Sequence, residues 1–380
     1  MKLLLFSHSF APAIGGVESI SLTLAENLTK CGITVHVVTY TPGDNTLHGK
    51  SYSVTRNPGF LRSFILVRNC DLVFSNGSSL ALFFQAKLAA KPFIWTHNGY
   101  QLSCIDGLGW VDGQEAPLSP WPSFRFHLKT NGILAAARGA VKLYLKRFAA
   151  GWVNLNVAAT HWVAHRQPLE NQVQMYTPYA LQKFKCCSDP HIHEYDFIFV
   201  GRLVSEKGVE TLLRAFRILS KEKANEHKKL LIVGDGDWRA RLERRCAELL
   251  IAERVRFVGR KTGKELLDHI DKAPIAIVPS EYEEPMGGVA LELLAAGKRL
   301  IVSKNGGMAE CLGRAALTFE NGNADQLAAC MKALSEDRAL QEQQRLASIE
   351  QLDKFDEMVL TRRYLAAFEE ILTKGKVTPS

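Results

Sequence analysis

Ile275-Ala276-Ile277-Val278-Pro279-Ser280-Glu281-Tyr282-Glu283-Glu284-Pro285-Met286-Gly287-Gly288-Val289 leads from a short apolar run through a turn into a helical stretch ending at Ala296. The apolar run predicts a buried strand and the segment after it a loop at the strand's carboxyl end. Pro285 suits the approach to a helix, and Gly287-Gly288 lets the backbone come close to a ligand. The N–H groups of the first helical turn then form an anion site. Glu284 precedes the helix and Glu292 lies inside it, a separation that can set both carboxylates along one side of a pocket. One would accept hydroxyls from a sugar, the other from a ribose. Gly297 closes the helix, Leu300-Ile301-Val302-Ser303 is the next strand, and Asn305-Gly306-Gly307 makes a second glycine turn ending at Glu310. The bland alternative is an ordinary βαβ unit whose glycines are caps and whose glutamates are solvated.

Taken together, Pro-Ser-x-x-x-Glu-Pro-x-Gly-x-Val-x-Leu-Glu from Pro279, then Ala-x-Gly, then Gly-Gly-x-x-Glu, resembles the signature of glycosyltransferase family 4, the retaining transferases of GT-B architecture. Glu284 and Glu292 match the E-x7-E motif of that family. The likeness covers nearly all the chain, with tighter motifs in the second half than in the first.

At 380 residues and 47% hydrophobic composition the chain is long enough for two core-forming domains. No run of about eighteen apolar residues predicts a transmembrane helix, and His8 interrupts the apolar start, which reads as a first strand rather than a leader. Eight cysteines are scattered without Cys-x2-Cys pairs or histidines at ligand spacing, so no metal is expected and a reduced, cytoplasmic protein is. The adjacent Cys186 and Cys187 read as incidental. Residues 1–190 hold 17 Lys and Arg against 9 Asp and Glu, and residues 191–380 hold 30 against 30, so the whole excess of +8 sits in the first half. That half is expected to meet an anionic partner, and a membrane surface or phosphorylated lipid is preferred over nucleic acid.

In chain order, residues 2–7 read as a strand, Gly15-Gly16 as the turn into a helix ending near Cys31, and residues 34–40 as a second strand, the opening of a doubly wound sheet. A tight turn of this kind calls for glycine on its own account, and the pair also resembles the family's first glycine loop. Residues 71–75 and 92–96 are further strands, and His97 follows the second, beyond the carboxyl end where open α/β sheets bind ligands. A histidine there can donate to a sugar hydroxyl, and His97 matches the family's N-domain cleft histidine; the alternative is a loop histidine bonded to backbone. Gln101 to Phe126, rich in Gly, Pro and Trp, reads as an acceptor-binding loop. Gly132 to Ala150 reads as an amphipathic helix, with Arg138, Lys142, Lys146 and Arg147 as a basic stripe suited to anionic lipid heads and Ile133, Leu134, Val141, Tyr144, Leu145 and Phe148 as apolar surface at the lipid boundary. An ordinary helix with a solvated basic face is the competing reading. Residues 173–178 are an exit strand and 182–194 the best linker. Tyr179-Ala180-Leu181 departs from the Asn-rich turn common in the family after this strand.

Residues 195–200 restart the pattern with Gly201-Arg202-Leu203-Val204-Ser205-Glu206-Lys207-Gly208, a frequent family sequence at its diphosphate site. Arg202 can grip phosphate as a fork and Lys207 as a point charge, and neither cation is explained by the helix that follows, whose dipole disfavours them. Gly234-Asp235-Gly236 resembles the family's Gly-x-Gly element. Val258-Gly259 corresponds to the segment that lines its base pocket. Residues 324–334 and 341–372 read as helical.

The fold expected is therefore α/β, GT-B, with two Rossmann-like doubly wound domains facing across a cleft: 1–185 for acceptor, 186–360 for nucleotide sugar, and a helix over 361–380 crossing back. The resemblance implies retaining transfer from a UDP- or GDP-linked sugar to a glycan or lipid-linked acceptor in surface polysaccharide or lipopolysaccharide synthesis, without metal or cofactor. His97, Glu284, Arg202 and Lys207 would carry catalysis. Gly15, Gly16, Gly234, Val258, Gly259, Met286, Gly287, Gly288, Val289 and Glu292 would complete the donor site. A nucleotide-sugar epimerase or hydrolase, a transferase with a soluble acceptor and a non-catalytic binding module remain open. A dinucleotide-dependent dehydrogenase would want Gly-x-Gly-x-x-Gly, which Gly15-Gly16 does not supply.

Overall fold

The computed structural model describes residues 1–13, 15–43, 51–185 and 193–375. The chain divides into two compact units, one of Met1–Val111, Ala116–Ala180 and Phe355–Ser380 and the other of Asp112–Glu115 and Leu181–Lys354. The sequence placed its divisions at 185/186 and 360/361. Of the expected linker, residues 186–192 lie outside the described residues, Cys186 and Cys187 among them.

In the first unit a parallel sheet is built from β1 (Lys2–Ser7), β2 (Thr34–Thr39), β3 (Ser53–Arg56), β4 (Leu72–Asn76) and β5 (Phe93–His97). Beyond the small ribbon of β6 (Trp110–Val111) and β7 (Gln114–Glu115) it is completed by β8 (Leu155–Ala158) and β9 (Gln172–Gln174). The order is β3-β2-β1-β4-β5-β8-β9. The helices are α1 (Gly16–Lys30), α2 (Phe60–Asn69), α3 (Leu80–Leu88), α4 (Pro120–Asn131), α5 (Ile133–Gly151) and α6 (His161–Arg166). Strands such as Leu-Val-Phe at 72–74 read as unbroken apolar runs because both faces of a parallel sheet are covered. The stretch expected to be irregular to Phe126 turns helical at Pro120, where proline occupies the first turn and loses no ladder hydrogen bond. The exit strand is shorter than expected, ending at Gln174.

The second unit repeats the scheme with β10 (Phe197–Val200), β11 (Leu230–Val233), β12 (Val255–Phe257), β13 (Ile275–Val278), β14 (Arg299–Ser303) and β15 (Ala316–Phe319). All pairs are parallel, in the order β12-β11-β10-β13-β14-β15. Around it lie α7 (Val209–Leu219), α8 (Arg239–Glu248), α9 (Gly263–Ile270), α10 (Gly288–Ala295), α11 (Gly307–Leu312), α12 (Ala324–Glu336) and α13 (Arg338–Lys354). Val209, Leu212, Leu213, Phe216 and Leu219 recur at helical spacing on α7 and enter the same core as Phe197, Phe199 and Ile232. The final helix, α14 (Glu357–Lys374), belongs to the first unit, where Tyr364 and Phe368 pack on Phe74 of β4 at 5.6 and 5.1 Å between rings. The helical text expected over 341–372 is thus two helices, parted at Phe355-Asp356, where the Asp356 carboxylate caps α14.

Candidate active site

Strand order in each sheet reverses once, and open α/β sheets bind ligands beyond the strand ends at that point. In the second unit it falls between β10 and β13. The loops leaving these strands are bound together: the Glu281 N–H donates to the Glu206 carbonyl at 2.9 Å, and Thr211 Oγ1 donates to the Glu281 carboxylate at 2.6 Å. Gly208 sits in the left-handed region at φ 65°, and a Cβ there would fall on the Pro279 carbonyl. This glycine is demanded by loop against loop.

The consequence is a contact across 77 residues of sequence. Lys207 Nζ donates to Glu284 Oε1 at 2.8 Å, and Ser280 Oγ donates to Oε2 at 2.5 Å. The Lys207 ammonium also lies 5.1 Å from the centre of the Tyr282 ring and 3.4 Å from its hydroxyl. Burial alone would raise the Glu284 carboxyl, but the Lys207 charge and the hydrogen bonds from Lys207, Ser280 and Tyr282 outweigh it and hold the group below its ordinary range. Tyr282 is pushed well above its ordinary value by burial, then by the Glu284 and Glu206 charges, and stays a hydroxyl donor.

Arg202 does not join this pair. Its guanidinium is 70% exposed and bonded to Glu206 at 3.2 Å. Glu292, partly buried on α10, shares none of the partners of Glu284, and burial raises its carboxyl to about 7. Gly287 is also in the left-handed region, at φ 75°, and its missing Cβ makes room for Met308 on α11, so chain packing already requires the glycine expected to admit a ligand. The first backbone bond of α10 runs from Ala290 N–H to the Gly287 carbonyl, leaving the Gly288 and Val289 N–H groups beyond the helical ladder. Met286 is buried beside them. The Gly234 N–H donates to the Gly259 carbonyl at 3.0 Å and the Val258 N–H to Ile232 at 3.1 Å, which brings the ends of β11 and β12 together.

The second glycine turn lies directly on this loop: the Gly307 N–H donates to the Glu284 carbonyl at 2.8 Å. Both are held by Asn321, just after β15, whose Nδ2 reaches the carbonyls of Glu281, Tyr282 and Asn305 at 3.2 to 3.3 Å while Oδ1 accepts from the Asn305 N–H at 3.0 Å. Sequence reasoning missed Asn321, whose one local signal, an Asn-Gly turn, says nothing of partners. It also missed Ser280 and Tyr282, although both stand in the stretch it opened on.

In the first unit the reversal falls between β1 and β4. Gly15 and Gly16 follow β1; Gly15 is extended at φ 175°, where a Cβ would press on the Glu18 carboxylate at 2.5 Å, and a Cβ on Gly16 would meet only the Tyr179 hydroxyl at 3.8 Å. Neither glycine takes up the left-handed region, and the one close contact is with the end of the Glu18 side chain rather than with backbone. A buried polar chain joins the strand ends here. Asn98 Nδ2 donates to Asn76 Oδ1 at 2.5 Å, Asn76 Nδ2 to Ser21 Oγ at 2.7 Å, and Ser21 Oγ to Ser7 Oγ at 2.8 Å. Asn98 Oδ1 is buried with no hydrogen-bond partner among the described residues. Such an acceptor favours any ligand able to donate to it.

His97 ends β5 and is buried, with Nε2 at 2.9 Å from Asn156 Oδ1. Asn156 spends its Nδ2 hydrogens on the Ala150 and Glu170 carbonyls, so its Oδ1 faces the ring and the proton sits on His97 Nε2. The expected donor to a sugar hydroxyl thus already has a side-chain acceptor, and Nδ1 is left as an acceptor. Burial lowers the ring to about 4, opposed by the Asn156 bond and aided by Lys146, so it is neutral at physiological pH. Of the basic stripe, Arg138 and Lys142 are exposed. Lys146 and Arg147 are partly buried, and Arg147 donates to the Leu102 carbonyl at 2.6 Å.

Among the described residues no cluster of His, Cys, Asp and Glu could hold a metal ion, and no helix is long and apolar enough to cross a membrane.

Residues 191–351 match the model of the family described as glycosyl transferases group 1. Lipopolysaccharide core biosynthesis glycosyltransferase LpsD of Rhizobium meliloti is 34% identical over 178 residues, 46% of this chain and 49% of that protein. Lipopolysaccharide 1,2-N-acetylglucosaminetransferase of Salmonella typhimurium is 32% identical over 120 residues, 30% of this chain and 31% of that protein. The chain thus spans less than half the length of these curated relatives. Among solved structures, Anabaena Alr3699/HepE in complex with UDP-glucose superposes with a TM-score of 0.74 at 17% identity, over 97% of this chain and 100% of that one. The lipopolysaccharide-biosynthesis glycosyltransferase WaaG gives 0.69 at 16%, over 98% and 100%. At such identities the likeness speaks for the fold, and it agrees with the two Rossmann-like units of the GT-B architecture. The similarity to the family described as glycosyl transferases group 1 therefore covers residues 191–351 of this chain.

Proposed function

We propose that this protein transfers a glycosyl group, with retention of anomeric configuration and without a metal, from a UDP- or GDP-linked sugar to a glycan or lipid-linked acceptor of surface polysaccharide or lipopolysaccharide synthesis. The observation that carries the reading is the Lys207–Glu284 pair at the point of strand reversal in the group 1 domain. The relatives named for lipopolysaccharide synthesis and the HepE complexes with UDP and UDP-glucose support the acceptor and donor classes.

In this reading the arriving diphosphate takes Lys207 from Glu284. The ammonium and the Gly288 and Val289 N–H groups then stabilise the charge that develops as the sugar–phosphate bond breaks. Arg202, exposed on its own loop, adds a fork to the phosphate. Glu284, held by Ser280, accepts sugar hydroxyls. Glu292 meets the ribose, and with its raised carboxyl it can donate as well as accept near neutrality. Gly234, Val258, Gly259 and Met286 border the nucleotide. Attack on the same face, with the leaving phosphate taking the acceptor's proton, would give retention. Gly15 and Gly16 approach the donor phosphate or the acceptor, and His97 serves the acceptor and sugar through Nδ1.

The experiment is a screen of nucleotide sugars for a rise in melting temperature, followed by transfer assays with the stabilising donor and NMR of the product anomer. A donor that stabilises wild type but not Lys207→Ala, and is transferred with retention, is expected. Isomerised or merely hydrolysed donor would favour the epimerase or hydrolase reading, and inversion would overturn the mechanism.

A further inference from the structure

Helix α5 buries three alanines and one leucine and turns most of its large apolar side chains outward. Ala136, Leu143, Ala149 and Ala150 are buried, whereas Leu134, Val141, Leu145, Phe148 and the C-cap residue Trp152 are 85%, 61%, 46%, 57% and 62% exposed. Steps of seven, four, three and four residues put these five on one stripe of the helix. Arg138 falls in the same stripe and Lys142 beside it, both exposed. The neighbouring α4, which packs against α5, adds Trp121 at 62% exposure together with exposed Arg125 and Lys129.

A stripe of this kind implies an occupant, because soluble surfaces seldom leave so many large apolar groups together. Its charge says which. From residue 116 to residue 169 the sequence has seven Lys and Arg and not one Asp or Glu. A second copy laid on this face would set like charges together, while an anionic surface would neutralise them.

We infer that the exposed face of α4 and α5 is a membrane-contact surface that lays its apolar stripe at the headgroup–acyl boundary of an anionic leaflet, with Arg125, Lys129, Arg138 and Lys142 on lipid phosphates. This differs from the sequence expectation in its cations, in adding α4 with Trp121, and in placing Leu134, Val141, Leu145, Phe148 and Trp152 on one exposed stripe. Burial, with the Lys142 charge, lowers the Lys146 ammonium to about 8, and Arg147 is committed to Leu102. Two of those four cations are thus partly withdrawn, and the apolar stripe takes over part of the attraction. The inference stands independently of the transfer reaction, since its readout is lipid binding.

The test is co-sedimentation of the full chain with vesicles of equal parts phosphatidylglycerol and phosphatidylethanolamine, against vesicles of phosphatidylcholine alone. Wild type is expected to bind the first and ignore the second, with salt weakening but not abolishing binding. Leu134→Glu/Phe148→Glu should lose about tenfold or more in partitioning even at low salt, and Arg138→Glu/Lys142→Glu should lose a similar factor at low salt. Both variants change exposed side chains and should melt like wild type, which separates lost binding from lost folding. Absence of binding at low salt, or variants that bind as well as wild type, would overturn the inference. So would a wild-type dimer that Leu134→Glu dissociates, which would make the stripe a self-interface.

Discussion

Removing the Lys207 ammonium should damage the protein in two ways that one further substitution separates. Lys207 and Glu284 keep 18% and 12% of their side-chain surfaces, and the pair is 2.8 Å long. Taking one partner from a fully buried pair costs roughly 3–5 kcal/mol, mostly from the stranded charge, so with some water access Lys207→Met should cost about 2–4 kcal/mol. Glu284→Gln keeps an acceptor for Ser280 and strands an ammonium with more access to water, so it should cost less, about 1–2 kcal/mol. The double variant strands nothing and should recover to within about 1–2 kcal/mol of wild type, a coupling that a double-mutant cycle in urea measures directly. Turnover should not recover, because each contact proposed for the transition state is worth about a hundredfold or more in rate. Wild type should also lose the pair's contribution as pH falls through the depressed Glu284 value, and the double variant should lack that acid limb. A Lys207→Met protein as stable as wild type, or a double variant whose losses simply add, would refute the account of the pair; turnover restored in the double would refute its catalytic role.

The other expectations are separate in mechanism. Burial lifts Glu292 to about 7, so the folded state keeps a proton that the unfolded chain gives up near its ordinary value. Stability should therefore fall as pH rises through that window, by up to about 3 kcal/mol. Glu292→Gln should flatten that slope in pH-dependent melts, and an unchanged slope would deny the shift. Asn321→Ala, which frees three carbonyls and the Asn305 N–H on the two site loops, should cost about 1–3 kcal/mol and raise KM for donor, while a variant indistinguishable in both would remove its positioning role. Nitrogen NMR of His97 should show a neutral ring protonated at Nε2 from pH 5.5 to 8, well above its value of about 4, and protonation in that range would contradict the Asn156 assignment. EDTA should leave turnover unchanged, and loss restored by Mg²⁺ would end the metal-free reading.

What the sequence alone determined was local and repetitive. Runs such as Phe197-Ile-Phe-Val, Leu230-Leu-Ile-Val and Ile275-Ala-Ile-Val, each closed by a turn and a helical stretch, carry their own evidence, because a strand covered on both faces must be apolar throughout. The doubly wound units and the segments carrying the candidate site could be read that way. β3, α2, α9 and β15 were passed over: Ser53-Val54-Thr55-Arg56 has no apolar run, and α9 buries only Ile270. The rest was decided by tertiary structure, since it depends on side chains distant in sequence. Lys207 meets Glu284 rather than joining Arg202, because the β10 and β13 loops are adjacent only once the sheet has formed. Asn321 joins two loops from a third. His97 lies at the predicted strand end, yet Asn156, 59 residues away, fixes where its proton sits. On α5 the charges and the apolar residues were both visible from sequence, but only packing decided that Ala136, Leu143, Ala149 and Ala150 turn inward while Leu134, Val141, Leu145 and Phe148 stay exposed and Lys146 and Arg147 are partly buried.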